Sequence, residues 1–430
     1  MATVAGERVF LRRASGLIKT ASNSDVFIYD IGLVSIGLGL GFLLFFGPAV
    51  YLGGNLYIGT LLAGAAMVLV GLGMICWTIT IPRSGGIYNF GTRSMWPPLA
   101  FTLSFVEVSA WLFYGSFGAV YLAQLGIAPM VTTIGIITDS PGVESFGADL
   151  AGKWGTFAIA SGALIIGAII LASGMRRFFF TQKVMFTIAV VGTLIFRTMG
   201  SDFLGSVTYS SLNAVEGAST PVTPFPTLLT GLGSDSVILT ILLSLGFIGW
   251  IWLWIPTQIL YPTRAIVAWS LDRVGPDVLG TVNDRTHTPI PAILLSLAGG
   301  ITFVGMLAFT SFFQLVIFIE VAVLAWAIVL LAGVFFPYRR PDIYNKSPIS
   351  NIRIAGIPVM SVACGLGSIA ATLFFFNLFF DDFAAGHARH SLSVLIGWFV
   401  GAFVLYWIMW IIRRRQGVKV ELAFKEIPIE

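Results

Sequence analysis

The sequence predicts an all-α polytopic membrane protein with ten transmembrane helices, on the strength of composition, apolar run length and the sidedness of positive charge. Of 430 residues, 57% are hydrophobic and 10% charged, against roughly a quarter charged in soluble globular chains, so the solvent that suits this chain is lipid. The 48 Gly and 36 Phe agree with that, because small residues let membrane helices approach closely and large apolar ones face acyl chains. Runs long enough to cross a bilayer, roughly 17 to 25 residues, recur along the chain. When the connecting segments are assigned to alternate sides, every one of the 24 Lys and Arg except Lys153, Arg197 and Arg389 falls on one side. That asymmetry is what the positive-inside rule requires, and an error of one span would scramble it.

Taken in order, residues 1–27 carry Arg8, Arg12, Arg13 and Lys19 without an apolar core of their own, which reads as a cytoplasmic arm rather than a cleavable signal peptide. The transmembrane domain covers 28–412, with spans at about 28–52, 56–81, 99–125, 155–173, 178–199, 236–262, 291–310, 312–336, 356–380 and 391–412. The fifth is the shortest, and it spans only if Phe178 to Phe180 and the stem of Lys183 enter the interface. Long outer loops are expected at 126–154 and at 198–236, the second longer than compact connections usually are. Residues 413–430 form a cytoplasmic tail.

A net charge of +4 spread along loops argues against nucleic acid and makes the lipid bilayer the expected partner. Cys76 and Cys364 lie inside apolar runs, so they indicate neither a disulfide framework nor a zinc site. No Walker loop, catalytic triad or haem pattern is present, so no enzyme and no cofactor is expected. His387 and His390 share an outer segment with Asp381 and Asp382, but no motif supports a metal site there.

Four features carry chemistry. The first span contains Ser35-Ile-Gly-Leu-Gly-Leu-Gly41 followed by Gly47-Pro48. Glycines at 37, 39 and 41 lower helicity, so the stretch is either an interruption exposing backbone groups to a ligand or a small-residue packing face. Glu107 and Glu320 lie within apolar spans, where a carboxylate is retained by a partner, by water, or by function such as a proton relay. Asp30 reads as an N-terminal charge on the first helix. The sixth span holds Trp250-Ile-Trp252-Leu-Trp254-Ile-Pro256, aromatics that either line a substrate path or, the default reading, contact lipid.

Three further stretches identify a family. Pro82-Arg-Ser-Gly-Gly-Ile-Tyr88 closes the second span as a tight turn, since Pro ends a helix and a glycine pair allows close backbone approach, and it continues through Arg93, Pro97 and Phe101. Asp272-Arg-Val-Gly-Pro276 is followed by Val282-Asn-Asp-Arg285 and Thr288-Pro-Ile-Pro-Ala292. With Gly37 to Gly41 in the first span, these stretches in this order make the chain resemble the amino acid, polyamine and organocation permease superfamily, especially archaeal-type amino acid permeases, over most of its length. The resemblance implies a leucine-transporter-like fold. It also implies secondary active transport of an amino acid or amine by alternating access, with H+ or Na+ coupling, in a plasma membrane with both termini cytoplasmic. Substrate would meet Ser35, Gly37, Gly39 and Gly41, and proton or ion coupling would fall to Glu107 or Glu320. Pro82, Arg83, Gly85, Gly86, Tyr88, Arg93, Asp272, Arg273 and Arg285 would form the cytoplasmic motif and its gating or packing contacts.

The departures are specific. In the family the second motif follows the eighth span; here it follows the sixth apolar run, so the family's sixth and seventh spans are missing between Phe196 and Ser236. Removing an even number preserves the sidedness of everything that follows. There is no lysine deep in the fifth span, where some proton-coupled relatives have one, and Ile87 replaces a residue often polar in archaeal relatives. A five-plus-five inverted repeat, with Gly246, Gly249 and Pro256 mirroring Gly37 to Pro48, is set aside because the Asp272 and Thr288 motifs fix the register. The competing expectation is a transport-inactive scaffold or assembly subunit, whose missing spans leave an apolar groove for a partner chain, a second copy or lipid. An in-frame deletion near Arg197 to Gly205 is the third.

Overall fold

The computed structural model describes residues 16–17, 20–192, 201–212, 215, 222–223, 225–232, 235–311, 319–380 and 382–425. The protein is an all-α polytopic membrane protein. Among the described residues, nine helical stretches are long and apolar enough to cross a bilayer: Asn23–Val50, Leu56–Thr80, Pro97–Ile137, Lys153–Ala172, Val237–Leu271, Ile290–Phe309, Ile319–Arg339, Val359–Asn377 and Leu392–Arg415. The fifth expected span corresponds to the helix Met175–Gly192, in which Arg176, Arg177 and Lys183 hold the hydropathy down; residues 193–199 lie outside the described ones. That helix nonetheless runs along the sixth span, with Gln182 Nε2 donating to Leu253 O at 3.1 Å.

We label the elements used below α1 (Asn23–Val34), α2 (Ile36–Val50), α3 (Leu56–Thr80), α4 (Ile87–Ser94), α5 (Pro97–Tyr121), α6 (Ala128–Ile137), α7 (Pro141–Ala151), α8 (Lys153–Ala172), α9 (Met175–Gly192), α10 (Ser201–Leu212), α11 (Pro226–Leu232), α12 (Val237–Leu271), α13 (Ile290–Phe309), α14 (Ile319–Arg339), α15 (Pro341–Tyr344), α16 (Val359–Phe380) and α17 (Asp382–Arg415). Local chemistry starts several of them. Ser22 and Asp25 form a capping box on α1, with Ser22 N donating to Asp25 Oδ2 at 2.8 Å, so Asp25 rather than Asp30 serves that helix's first turn. Asn55 accepts from Ile58 N at 3.0 Å to start α3, and Pro97 with Pro98 opens α5, where a missing N–H costs nothing.

Two packed cores result. Helices α3, α14 and α16 interlock around Trp77, Leu330, Met360 and Cys364. Helices α5, α8, α12 and α13 build the larger one around Phe113, Leu164, Ile255 and Val304. Its axis is α12, 35 residues long, or about 50 Å at 1.5 Å per residue, enough to cross a bilayer and reach beyond it.

Both expected outer loops contain helix. Through a π-turn at Leu122–Ile127, α5 continues into α6, and α7 folds back on it. The pair is close because two positions carry no side chain: a Cβ on Gly135 would sit 2.3 Å from Glu144 N, and one on Gly147 2.4 Å from Thr132 N. Between residues 198 and 236, α10 lies along α2, with Gly205 under Pro48. Phe225, just before α11, packs on Phe45 at 4.7 Å between ring centroids and on Phe247 at 5.3 Å. At 12 and 7 residues, α10 and α11 are too short to span.

The tail packs back on the bundle. Helix α17 runs on to Arg415, and Val420–Lys425 forms a 3-10 turn that buries Val420, Ala423 and Phe424 in the larger core. Alternation of apolar residues from Val418 onward is the sequence signal for that docking, and its shortness hides it.

Candidate functional site

The first span is broken in its middle, at Ser35. This residue has φ 49° and ψ 67°, the left-handed conformation, between α1 and α2, an uncommon state for a side chain other than Gly or Asn. It is 1% exposed. Both sides of the break are clamped to α12: Ser35 Oγ donates to Trp250 O at 3.0 Å, and Gln258 Nε2 donates to Leu33 O at 3.4 Å. Because Ser35 Oγ is spent on Trp250, it does not cap α2. A helix that begins at Ile36 leaves its first N–H groups without intrahelical acceptors and presents the positive end of its dipole.

The three glycines therefore divide. All lie inside α2, so the interruption falls two residues before Gly37 rather than within the triplet. Gly37 is a close-approach position: a Cβ there would meet Trp250 Cδ1 at 2.2 Å. Gly39 faces open space, with nothing within 4 Å of its added Cβ. Gly41 is buried.

Trp250, assigned by default to lipid, is 3% exposed and sits on the break. Trp254 is also turned inward, 5.9 Å from Tyr114. Among the described residues Trp250 Nε1, Gln258 Oε1 and Gln182 Oε1 are buried with no hydrogen-bond partner. The break thus collects unsatisfied donors and acceptors in an otherwise apolar bundle, where such groups are costly unless something pairs with them.

The two span carboxylates differ. Glu107, on α5 and 3% exposed, accepts from Tyr261 Oη, a short contact, and from Trp326 Nε1 at 2.8 Å. Trp111 completes the aromatic surround, 6.0 Å from Trp326 and 6.2 Å from Tyr261. Glu320, on α14, is fully buried beside Tyr114, and neither of its oxygens has a partner among the described residues.

The two cytoplasmic-type motifs meet in space. Arg93, at the end of α4, forms a bidentate pair with Asp272 at the end of α12, Nη1 to Oδ2 at 2.7 Å and Nη2 to Oδ1 at 3.0 Å, with both side chains buried. Arg93 Nη2 also donates to Ala423 O at 3.3 Å, and Arg340 Nη1 donates to Arg93 O at 3.3 Å. From the other direction Arg413 binds Asp277 at 2.8 Å and donates to Gly275 O. Tyr88 is buried next to this pair.

The glycine pair is conformationally required. Gly85 has φ 110° and Gly86 φ 49°, and a Cβ on Gly86 would stand 2.9 Å from the Tyr261 ring. The turn after α3 thereby presses on the tyrosine that holds Glu107. Pro82 is exposed, Arg83 lines a cavity together with Arg264, and Arg273 takes φ 57° just past α12. Arg285 is exposed in a turn held by Asn283 Oδ1 and does not join the cluster. Asp381 and the side chains of Asp382, His387 and His390 lie outside the described residues, and no metal-ligating group of three is found among the described ones.

Gln258, Gln182, Tyr261 and Trp326 are the residues sequence reasoning missed. Gln258 and Gln182 were legible as lone amides in apolar runs, which need partners as much as a carboxylate does. No family model matches the chain, and no curated protein matches it.

Proposed function

We propose that the chain is a secondary-transporter-like membrane protein of the amino acid permease kind, moving a small amino acid or amine across a plasma membrane by alternating access, with both termini cytoplasmic. The observation that carries this reading is the buried break at Ser35. The uncapped N-terminus of α2 faces the unpartnered indole N–H of Trp250, a donor set suited to a carboxylate. Gln258 Oε1, on the α1 side of the break, suits an ammonium group. Trp250 lies where substrate would enter, so loading requires its ring to leave Gly37. Glu320, a buried carboxylate without a partner among the described residues, is the better placed of the two for H+ or Na+ coupling. Uptake of labelled amino acids into proteoliposomes under imposed proton and sodium gradients tests this, and the absence of saturable uptake under either gradient would sink it.

A second reading is favoured by one observation. An apolar groove of about 360 Å³ runs between α8, α9 and α12, past Gly162, Ile166, Ile188 and Trp252, and a groove of this kind is what two absent spans would leave open. A transport-inactive scaffold whose groove receives lipid or a partner subunit accounts for it. A purified monomer that is stable with the groove empty contradicts this alternative.

A further inference from the structure

At the end of α17 the chain turns back on itself. Gly417 takes φ 76°, Gly417 N donates to Arg414 O at 3.0 Å, and Val418 N donates to Arg413 O at 3.0 Å, the pattern that reverses a chain at a helix C-terminus. The reversal sends residues 418–425 across the end of the bundle where α4 meets the end of α12. Val420, Ala423 and Phe424 are buried in the larger core, and Arg93 Nη2 donates to Ala423 O at 3.3 Å. The same guanidinium makes the bidentate pair with Asp272, so the segment lies directly against a pair whose side chains are 0% and 1% exposed.

That pair joins the two cores. Ile87 and Phe90 of α4 pack in the smaller one, whereas Trp269, three residues before Asp272, packs in the larger. What holds the covering segment is slight by comparison. A 3-10 turn has poor hydrogen-bond geometry, Lys419 and Glu421 are exposed, and the bond from Trp410 Nε1 to Glu421 Oε1, at 2.7 Å, lies at the surface. Arg413 is tied separately to Asp277 and to Gly275 O, so lifting residues 418–425 leaves α17 anchored.

We propose that residues 418–425 are a releasable lid, which keeps the Arg93–Asp272 pair dry and thereby holds the two cores together at this end of the bundle. With the lid down, the pair interacts at short range with water excluded. With it lifted, water and salt reach the pair, and an exposed, screened ion pair contributes little. A lid of this kind acts equally in a protein that moves nothing, so the inference does not rest on transport.

Hydrogen–deuterium exchange of the purified full chain in neutral detergent, followed by mass spectrometry at two KCl concentrations, tests it. In the wild type, amides of 420–425 are expected to exchange at least ~10-fold faster than those of 88–95, as a locally opening segment does. Phe424→Asp, which removes the apolar anchor, should speed exchange of 88–95 and 268–275 at least ~10-fold and leave 112–120 in α5 within ~2-fold of wild type. In that variant, exchange at 88–95 should rise again, several-fold, between ~0.1 and ~1 M KCl, while the wild type ignores salt. An unchanged rate at 88–95 in the variant overturns the lid, and a rise shared by 112–120 reduces the segment to ordinary packing. A local rise that ignores salt overturns the pair as the group kept dry. Should Phe424→Asp not fold, the wild type decides: amides of 420–425 that exchange as slowly as those of 88–95 belong to a segment that does not lift by itself.

Discussion

Glu107 and Glu320 are both carboxylates inside apolar spans, each about eight residues from an expected span end, yet their surroundings are opposite. Glu107 is held by Tyr261 and Trp326, and Tyr261 is held in turn by the Gly85–Gly86 turn. Glu320 is enclosed without a partner among the described residues. The comparison teaches that a buried acid is not evidence of function until its partners are counted: the first acts as a brace, and the second is a group whose cost calls for an occupant or a proton. Asp272 extends the braced side of the comparison, since it faces a full guanidinium.

The sharpest way to break this contrast is at the Arg93–Asp272 pair. Arg93→Ala leaves Asp272 buried and uncompensated and is expected to cost about 3–5 kcal/mol, read as loss of thermal stability in detergent. Replacing both residues by apolar ones should recover much of that. Glu107→Ala comes next, at about 2–4 kcal/mol, because two buried donors lose their acceptor at about 1–3 kcal/mol each. If Glu107→Ala unfolds no more readily than wild type, the brace reading fails.

Gly37→Ala should cost about 1–3 kcal/mol through its collision with Trp250, while Gly39→Ala, with open space around it, should be neutral or stabilising by up to about 1 kcal/mol. Equal effects at the two positions would remove the argument that Trp250 sits on the break. Glu320→Gln is expected to leave stability within about 1 kcal/mol of wild type but to abolish any dependence of uptake on a proton gradient, measured in the same proteoliposomes. The smallest effect belongs to Asp342, outside the spans, where hydrogen bonds from Arg340 at 2.9 and 3.0 Å hold its carboxyl below the ordinary carboxylate range. A depressed acid stabilises the fold above its ordinary pKa of about 4 and loses that contribution as pH falls through the lowered value. Arg340→Gln should therefore flatten the acid limb of the melting curve slightly.

Much of the fold was legible one residue at a time. Run length and the sidedness of Lys and Arg fixed where most helices lie, because a bilayer imposes a length and a charge asymmetry that any single segment displays. The loops at 126–154 and 198–236 were misread because α6, α7, α10 and α11 are short and become helical against neighbours, not on their own. Arg93 and Asp272 were legible as motif members, but their pairing was not, being separated by 179 positions in sequence.

By itself the sequence determined that the chain is built of apolar helices suited to lipid and that the first span carries a weak point between Ser35 and Gly41. Tertiary structure decided where that span breaks, that Trp250 stands on the break, and which of two acids is satisfied. The physical reason is that hydropathy and helix propensity are local sums over a segment. The satisfaction of a buried polar group depends instead on which other helix supplies the partner, and α12 supplies it at Trp250, Gln258 and Tyr261.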